Sequence, residues 1–122
     1  MTGAKVKGIG GFFFRASDPD RLRIWYETHL GITVGDTIWV QEPGPTVFAP
    51  FPADTDYFCR SEQPWMINFR VDDLDALLAQ LRQSGIESET RAEWDSEVGR
   101  FARIHDPEGN PIELWEPAAA SR

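Results

Sequence analysis

An internal repeat restricts the fold more than any other feature of the chain. Phe14-Arg15-Ala16-Ser17-Asp18-Pro19-Asp20-Arg21-Leu22 aligns with Phe69-Arg70-Val71-Asp72-Asp73-Leu74-Asp75-Ala76-Leu77 at a constant offset of 55. The two stretches share Phe, Arg, two Asp and a Leu. Further on, His29-Leu30-Gly31-Ile32 answers Gln83-Ser84-Gly85-Ile86 at an offset of 54. A unit of this length is one supersecondary motif, and writing it twice implies that the copies share a core neither could build alone.

Each copy opens with an apolar run, residues 9–16 or 65–71, which predicts a strand. Ser17/Asp18 and Asp72/Asp73 follow, with side-chain oxygens that suit the unpaired N–H groups of a helix start. Leu22, Trp25, Tyr26 and Leu30, and then Leu74, Leu77, Leu78 and Leu81, fall at helical spacing. Gly31 and Gly85 are placed to end the helices. Short strand-like runs follow each helix: 37–42, 46–49 and 57–59 in the first copy, 88–92 and 100–105 in the second. Pro43-Gly44-Pro45 reads as a turn, 50–56 as a Pro-rich loop, and Asp106-Pro107-Glu108-Gly109-Asn110 as a tight turn into a last strand, 111–116. Residues 117–122 read as a frayed tail.

The predicted architecture is α+β: two βαβββ modules, about 8–60 and 64–116, forming a curved mixed sheet around a shared cavity, with helices on one side. Strand alternation assigns the faces. Phe12, Phe14, Ala16, Ile67, Phe69, Val71, Ala102, Ile104, Ile112 and Leu114 go under the helices. Gly11, Phe13, Arg15, Met66, Asn68, Arg70, Phe101, Arg103, His105, Glu113 and Trp115 go to the open face.

At 122 residues the chain fits a single core. Its net charge of −8 argues against nucleic acid, which demands a surplus of Lys and Arg. It holds no apolar run of the roughly 20 residues that span a bilayer, and no leader pattern, so it reads as cytoplasmic. The lone Cys59 excludes an intrachain disulfide or a Cys-pair metal site, and its plainest reading is a small hydrophobe. His29, at a helix end, reads as a partner of the unpaired carbonyls there.

The stretches Arg15-Ala16-Ser17-Asp18, Trp25-Tyr26 with His29-Leu30-Gly31, Phe69 to Asp75, and above all Asp106-Pro107-Glu108-Gly109-Asn110-Pro111-Ile112-Glu113-Leu114 together resemble the vicinal oxygen chelate superfamily. That superfamily includes glyoxalases, bleomycin-resistance proteins and extradiol dioxygenases, and the likeness runs from about Gly8 to Glu116. It implies paired βαβββ modules around a ligand cavity, often in a homodimer. Enzymes of the superfamily hold a divalent metal at positions that fall here on Gly11, Met66 and Glu113, with a further position near Tyr57 or Phe58. Of these only Glu113 offers a hard oxygen ligand. No cofactor is therefore expected.

If the 106–110 turn closes a hairpin, Arg103 lies across from Glu113, and the two are expected to attract each other. Either they form a plain cross-strand ion pair, or Arg15, Arg70 and Arg103 make a positive recess for a carboxylate or phosphate. Phe13, Trp39, Trp65, Asn68 and Phe101 are candidates to line it, as are Phe48 and Trp94, although for each aromatic a place in the core or a dimer seam is an open alternative. The expected function is binding of a small aromatic or anionic molecule without a metal. The alternative is a glyoxalase- or dioxygenase-like enzyme using Glu113 as metal ligand or general base, with His105 as proton carrier.

Overall fold

Local sequence sets both helices in the computed structural model, which describes residues 3–33 and 38–119. Helix α1, Pro19–Leu30, begins where Asp18 accepts from the Arg21 amide at 3.1 Å, with Pro19 at its first position. It ends at Gly31, whose φ of 71° is a conformation most side chains avoid. Helix α2, Leu74–Gln83, begins where Asp73 accepts from the Ala76 amide at 3.0 Å. Each start is also tied to the far end of the chain. Glu108 accepts from the Ser17 and Asp18 amides (2.7 and 3.0 Å), and Glu116 from the Leu74 amide (2.8 Å). Carboxylates placed there satisfy free N–H groups and complement the helix dipole.

Three strands follow from the second copy of the repeat: β1, Ile67–Arg70; β2, Gly99–His105; and β3, Pro111–Pro117. Their order is β1-β3-β2. β1 runs parallel to β3 and β2 antiparallel to it, so the sheet is mixed and open and the class is α+β. Period-two alternation sorts the faces as expected. Ala102, Ile104, Ile112 and Leu114 are buried at 1% exposure or less beneath Leu22, Tyr26, Leu74 and Leu81. Ala16, Ile67, Phe69 and Val71 pack at the edge of this core. Burial of each large apolar side chain there contributes roughly 1.5–3 kcal/mol.

The first copy departs from expectation. Among the described residues, 9–16, 38–42, 46–49 and 57–59 form no strand, so the sheet carries one module's worth of strands rather than two. Thr37, the expected start of one run, and residues 120–122 of the expected tail lie outside the described residues. In the second copy, 88–92 contributes only an isolated bridge, Glu89 to Arg103. The cause is visible in the chain. Pro43, Pro45, Pro50, Pro52 and Pro64 have no N–H to give a ladder, and Gly8, Gly10 and Gly11 lose the most backbone entropy on ordering. Alternation survives without a ladder. Phe12 and Phe14 pack on Trp65, with ring centroids 5.0 and 5.4 Å from it, yet stay 42% and 36% exposed rather than buried under the helices, while Phe13 is 93% exposed.

Candidate functional site

Register brings the polar groups of the open face together. Glu113 on β3 is flanked by Arg103 on β2 and Asn68 on β1. One Glu113 oxygen accepts from the Asn68 amide at 2.7 Å; the other accepts a short hydrogen bond from the Tyr57 hydroxyl. Burial, reinforced by the Glu113 carboxylate, pushes the Tyr57 hydroxyl up to about 12, so it remains a donor at neutral pH.

The expected ion pair between Arg103 and Glu113 does not form, although the two residues face each other. The Arg103 guanidinium instead lies over the Tyr57 ring at 4.7 Å and the Trp94 ring at 5.3 Å, and Nη1 donates to Cys59 Sγ at 3.0 Å. Tyr57 has taken Glu113, and the two rings offer the cation a second stabilising surface. Arg103 is 6% exposed, and its Nε and Nη2 are buried without a hydrogen-bond partner. Next along β2, His105 Nε2 stands 3.2 Å from Cys59 Sγ. Burial and then Arg103 hold His105 below the usual imidazole range, which favours the neutral ring.

Two hollows adjoin this set. A recess of about 290 Å³ is lined by Asp56, Tyr57, Cys59, Glu89, Arg91, Trp94 and Arg103. A larger one, about 540 Å³, is lined mainly by residues 49–53 and 61–66, with Thr55 and Phe58. A run of rings connects them: Phe58 to Phe51 at 5.0 Å, Phe51 to Tyr57 at 5.8 Å, and Tyr57 to Trp94 at 6.2 Å.

Of the residues singled out from sequence, Asn68, Arg103, His105 and Glu113 are brought together. Phe101 stacks on Trp115 at 6.1 Å, further along β2. Trp65 lines the larger hollow. Trp39 packs on Phe69 at 6.2 Å, a residue of the helix-side core edge. Arg70 donates to the carbonyls of Pro45 (2.5 Å) and Glu42 (2.8 Å) and to the Thr46 hydroxyl (3.2 Å). Arg15 and Phe13 are exposed. Of the three arginines expected to converge, Arg103 alone lines the smaller recess. Among the described residues, no group of three or more His, Cys, Asp or Glu could hold a metal ion.

The family model of the glyoxalase-like domain matches residues 11–115, nearly the whole chain. The chain belongs to that family. Among solved structures, this glyoxalase-like domain is similar to TnmS3, an antibiotic binding protein from Streptomyces sp. CB03234. The TM-score is 0.63 and the identity 24%, over 95% of this chain and 100% of that one. It also matches a glyoxalase family protein from Enterococcus faecalis at a TM-score of 0.40 and 29% identity, over 54% of this chain and 52% of that one. No curated protein matches it. Among the described residues, no helix of the domain is long and apolar enough to cross a membrane.

Tyr57 and Cys59 of the domain were not picked out as site residues from sequence, whereas Trp94 was a candidate pocket wall and lines the smaller recess. One signal was available for Tyr57: it falls at a position where the resemblance implies a ligand, and its phenol makes a bond to Glu113. Cys59 reaches β2 from a loop 44 residues away, and no spacing rule forecasts such a contact.

Proposed function

We propose that this glyoxalase-like domain binds a small aromatic anion in the recess beside Arg103, without a metal and as a homodimer. The buried guanidinium with two unpartnered nitrogens carries the reading. Leaving a buried donor unsatisfied costs about 1–3 kcal/mol, which an anionic oxygen placed on Nε and Nη2 recovers. The Tyr57 and Trp94 rings close those nitrogens off, so a ligand's own ring takes the place of one of them. The Tyr57 hydroxyl is tied to Glu113, so Trp94, on the three-residue turn Ala92–Trp94, is the ring displaced. The likeness to an antibiotic binding protein supports small-molecule binding.

The residues around Glu113 do not fit a divalent ion. Both carboxylate oxygens are occupied by hydrogen-bond donors, the facing residue is a cation, and Gly11 and Met66 bring no hard ligand. The homodimer reading is supported by exposed apolar side chains, Phe13 (93%), Ile38 (88%), Val40 (85%) and Phe48 (87%), and by the outer edge of β1, which no strand pairs among the described residues.

Titrating aryl carboxylates and their neutral amides against tryptophan fluorescence and melting temperature tests the binding. The carboxylates are expected to stabilise the protein, by about 2.7 kcal/mol at a hundredfold excess over Kd. Arg103→Met is expected to weaken them at least about tenfold. Amides that bind as well as the acids, or a panel with no effect, would sink the reading. A stoichiometric transition metal surviving dialysis would overturn its metal-free part.

A further inference from the structure

Cys59 has no part in the binding reading, yet it stands where chemistry is available. Its residue is exposed, and its sulfur lies at the wall of the smaller recess. Arg103 Nη1 donates to that sulfur at 3.0 Å, and His105 Nε2 lies 3.2 Å away on the next open-face position of β2. The same guanidinium, 6% exposed, keeps Nε and Nη2 free of any partner in the described structure. A thiol at the wall of the hollow, a ring nitrogen beside it able to take its proton, and donors that come free for an oxygen once a ligand displaces a covering ring therefore lie in one side-chain cluster. A purely structural cysteine requires none of these neighbours.

We propose that Cys59 captures α,β-unsaturated carbonyl compounds by conjugate addition, with the carbonyl oxygen on Arg103 and the proton carried by His105. The inference rests on the reading that Arg103 receives a ligand oxygen. As the sulfur bonds to the β-carbon, its proton passes to His105 Nε2. The electron pair of the carbon–carbon double bond shifts to join the α-carbon to the carbonyl carbon, and the carbonyl pair moves onto oxygen. Arg103 Nε and Nη2 stabilise the resulting enolate as an oxyanion hole does. The carbonyl then re-forms, and the α-carbon takes the proton back from His105. Thiol plus enone gives one thioether, and no oxidant or reductant is consumed. Burial keeps His105 neutral and ready to accept the first proton.

The test follows adduct formation with 4-phenylbut-3-en-2-one by intact mass, using iodoacetamide as a second alkylating agent whose reaction builds no oxyanion. One adduct per chain is expected, absent in Cys59→Ser and forming at least about tenfold faster than on free cysteine. Arg103→Met is expected to slow the enone about a hundredfold and iodoacetamide much less, and His105→Gln to slow the enone by a comparable factor. Arg103→Lys keeps the charge without the fork and is expected to lie between wild type and Arg103→Met, which covers a poorly folded Met variant. Addition no faster than on free cysteine, or equal slowing of both reagents in the Arg103 variants, would overturn the proposal. Wild type titrated with a saturated aryl carboxylate, which cannot alkylate the thiol, separates the two ideas: binding of the acid without capture of the enone refutes capture alone, whereas no binding of the acid refutes the recess reading beneath it.

Discussion

Asp106, 4% exposed, gathers four hydrogen bonds. One oxygen accepts from the Glu108 and Asn110 amides at 2.9 and 3.0 Å, the other from the Asn110 side chain at 2.7 Å and the Tyr26 hydroxyl at 2.6 Å. Burial first, and Asp106 second, push Tyr26 far above the usual phenol range, so that bond keeps its proton. Asp106→Ala leaves several buried donors unsatisfied and is expected to cost about 3 kcal/mol or more in urea unfolding. Tyr26→Phe, which leaves the carboxylate three donors, is expected to cost about 1 kcal/mol. Equal losses would show that the helix contact, rather than the turn, sets the stability. The turn itself was readable from Asp106-Pro107-Glu108-Gly109-Asn110, but the docking of Tyr26 eighty residues earlier was not. Arg103 and Glu113 make the same point. Counting from the turn places them opposite each other, but a competing phenol and thiol from residues 57–59 decide where each side chain goes.

At the scale of elements, the most demanding position is the first residue of β2. Gly99 has φ 140°, and an added Cβ would come within 2.3 Å of the Glu116 carbonyl oxygen and 2.7 Å of Trp115 Nε1. Trp115 Nε1 donates from there to the Val98 carbonyl at 2.9 Å, so the obstruction cannot easily move. Gly99→Ala is expected to cost about 2–4 kcal/mol by strain and overpacking, and Gly10→Ala, with open space around it, almost nothing. Melting curves of the two variants check this, and matching midpoints would contradict it. Helices α1 and α2 were legible because caps, leucine spacing and terminating glycines all act within a few residues. The alternating hairpin of β2 and β3 was legible for the same reason. The strands expected in the first copy were not, because apolar alternation shows which way side chains point and not whether a neighbouring backbone supplies hydrogen bonds.

For the molecule as a whole, exposed aromatic and aliphatic groups in the first copy coexist with a net charge of −8 that favours solubility. Sedimentation is expected to give twice the 13.8 kDa chain mass, and Phe13→Asp combined with Phe48→Asp to shift the species to monomer. A wild-type monomer at about 100 μM, far above a micromolar Kd, would refute the dimer.

The strand order carries one more consequence. The middle position of the sheet belongs to β3, which both flanking strands precede in the chain. During synthesis, β1 and β2 emerge from the ribosome without the strand that joins them, and apart from the single bridge between Glu89 and Arg103 neither has its ladder until residues 111–117 follow. Their backbone groups and the apolar faces of both helices wait in the open for that interval, so the nascent domain is at its stickiest just before its last strand arrives.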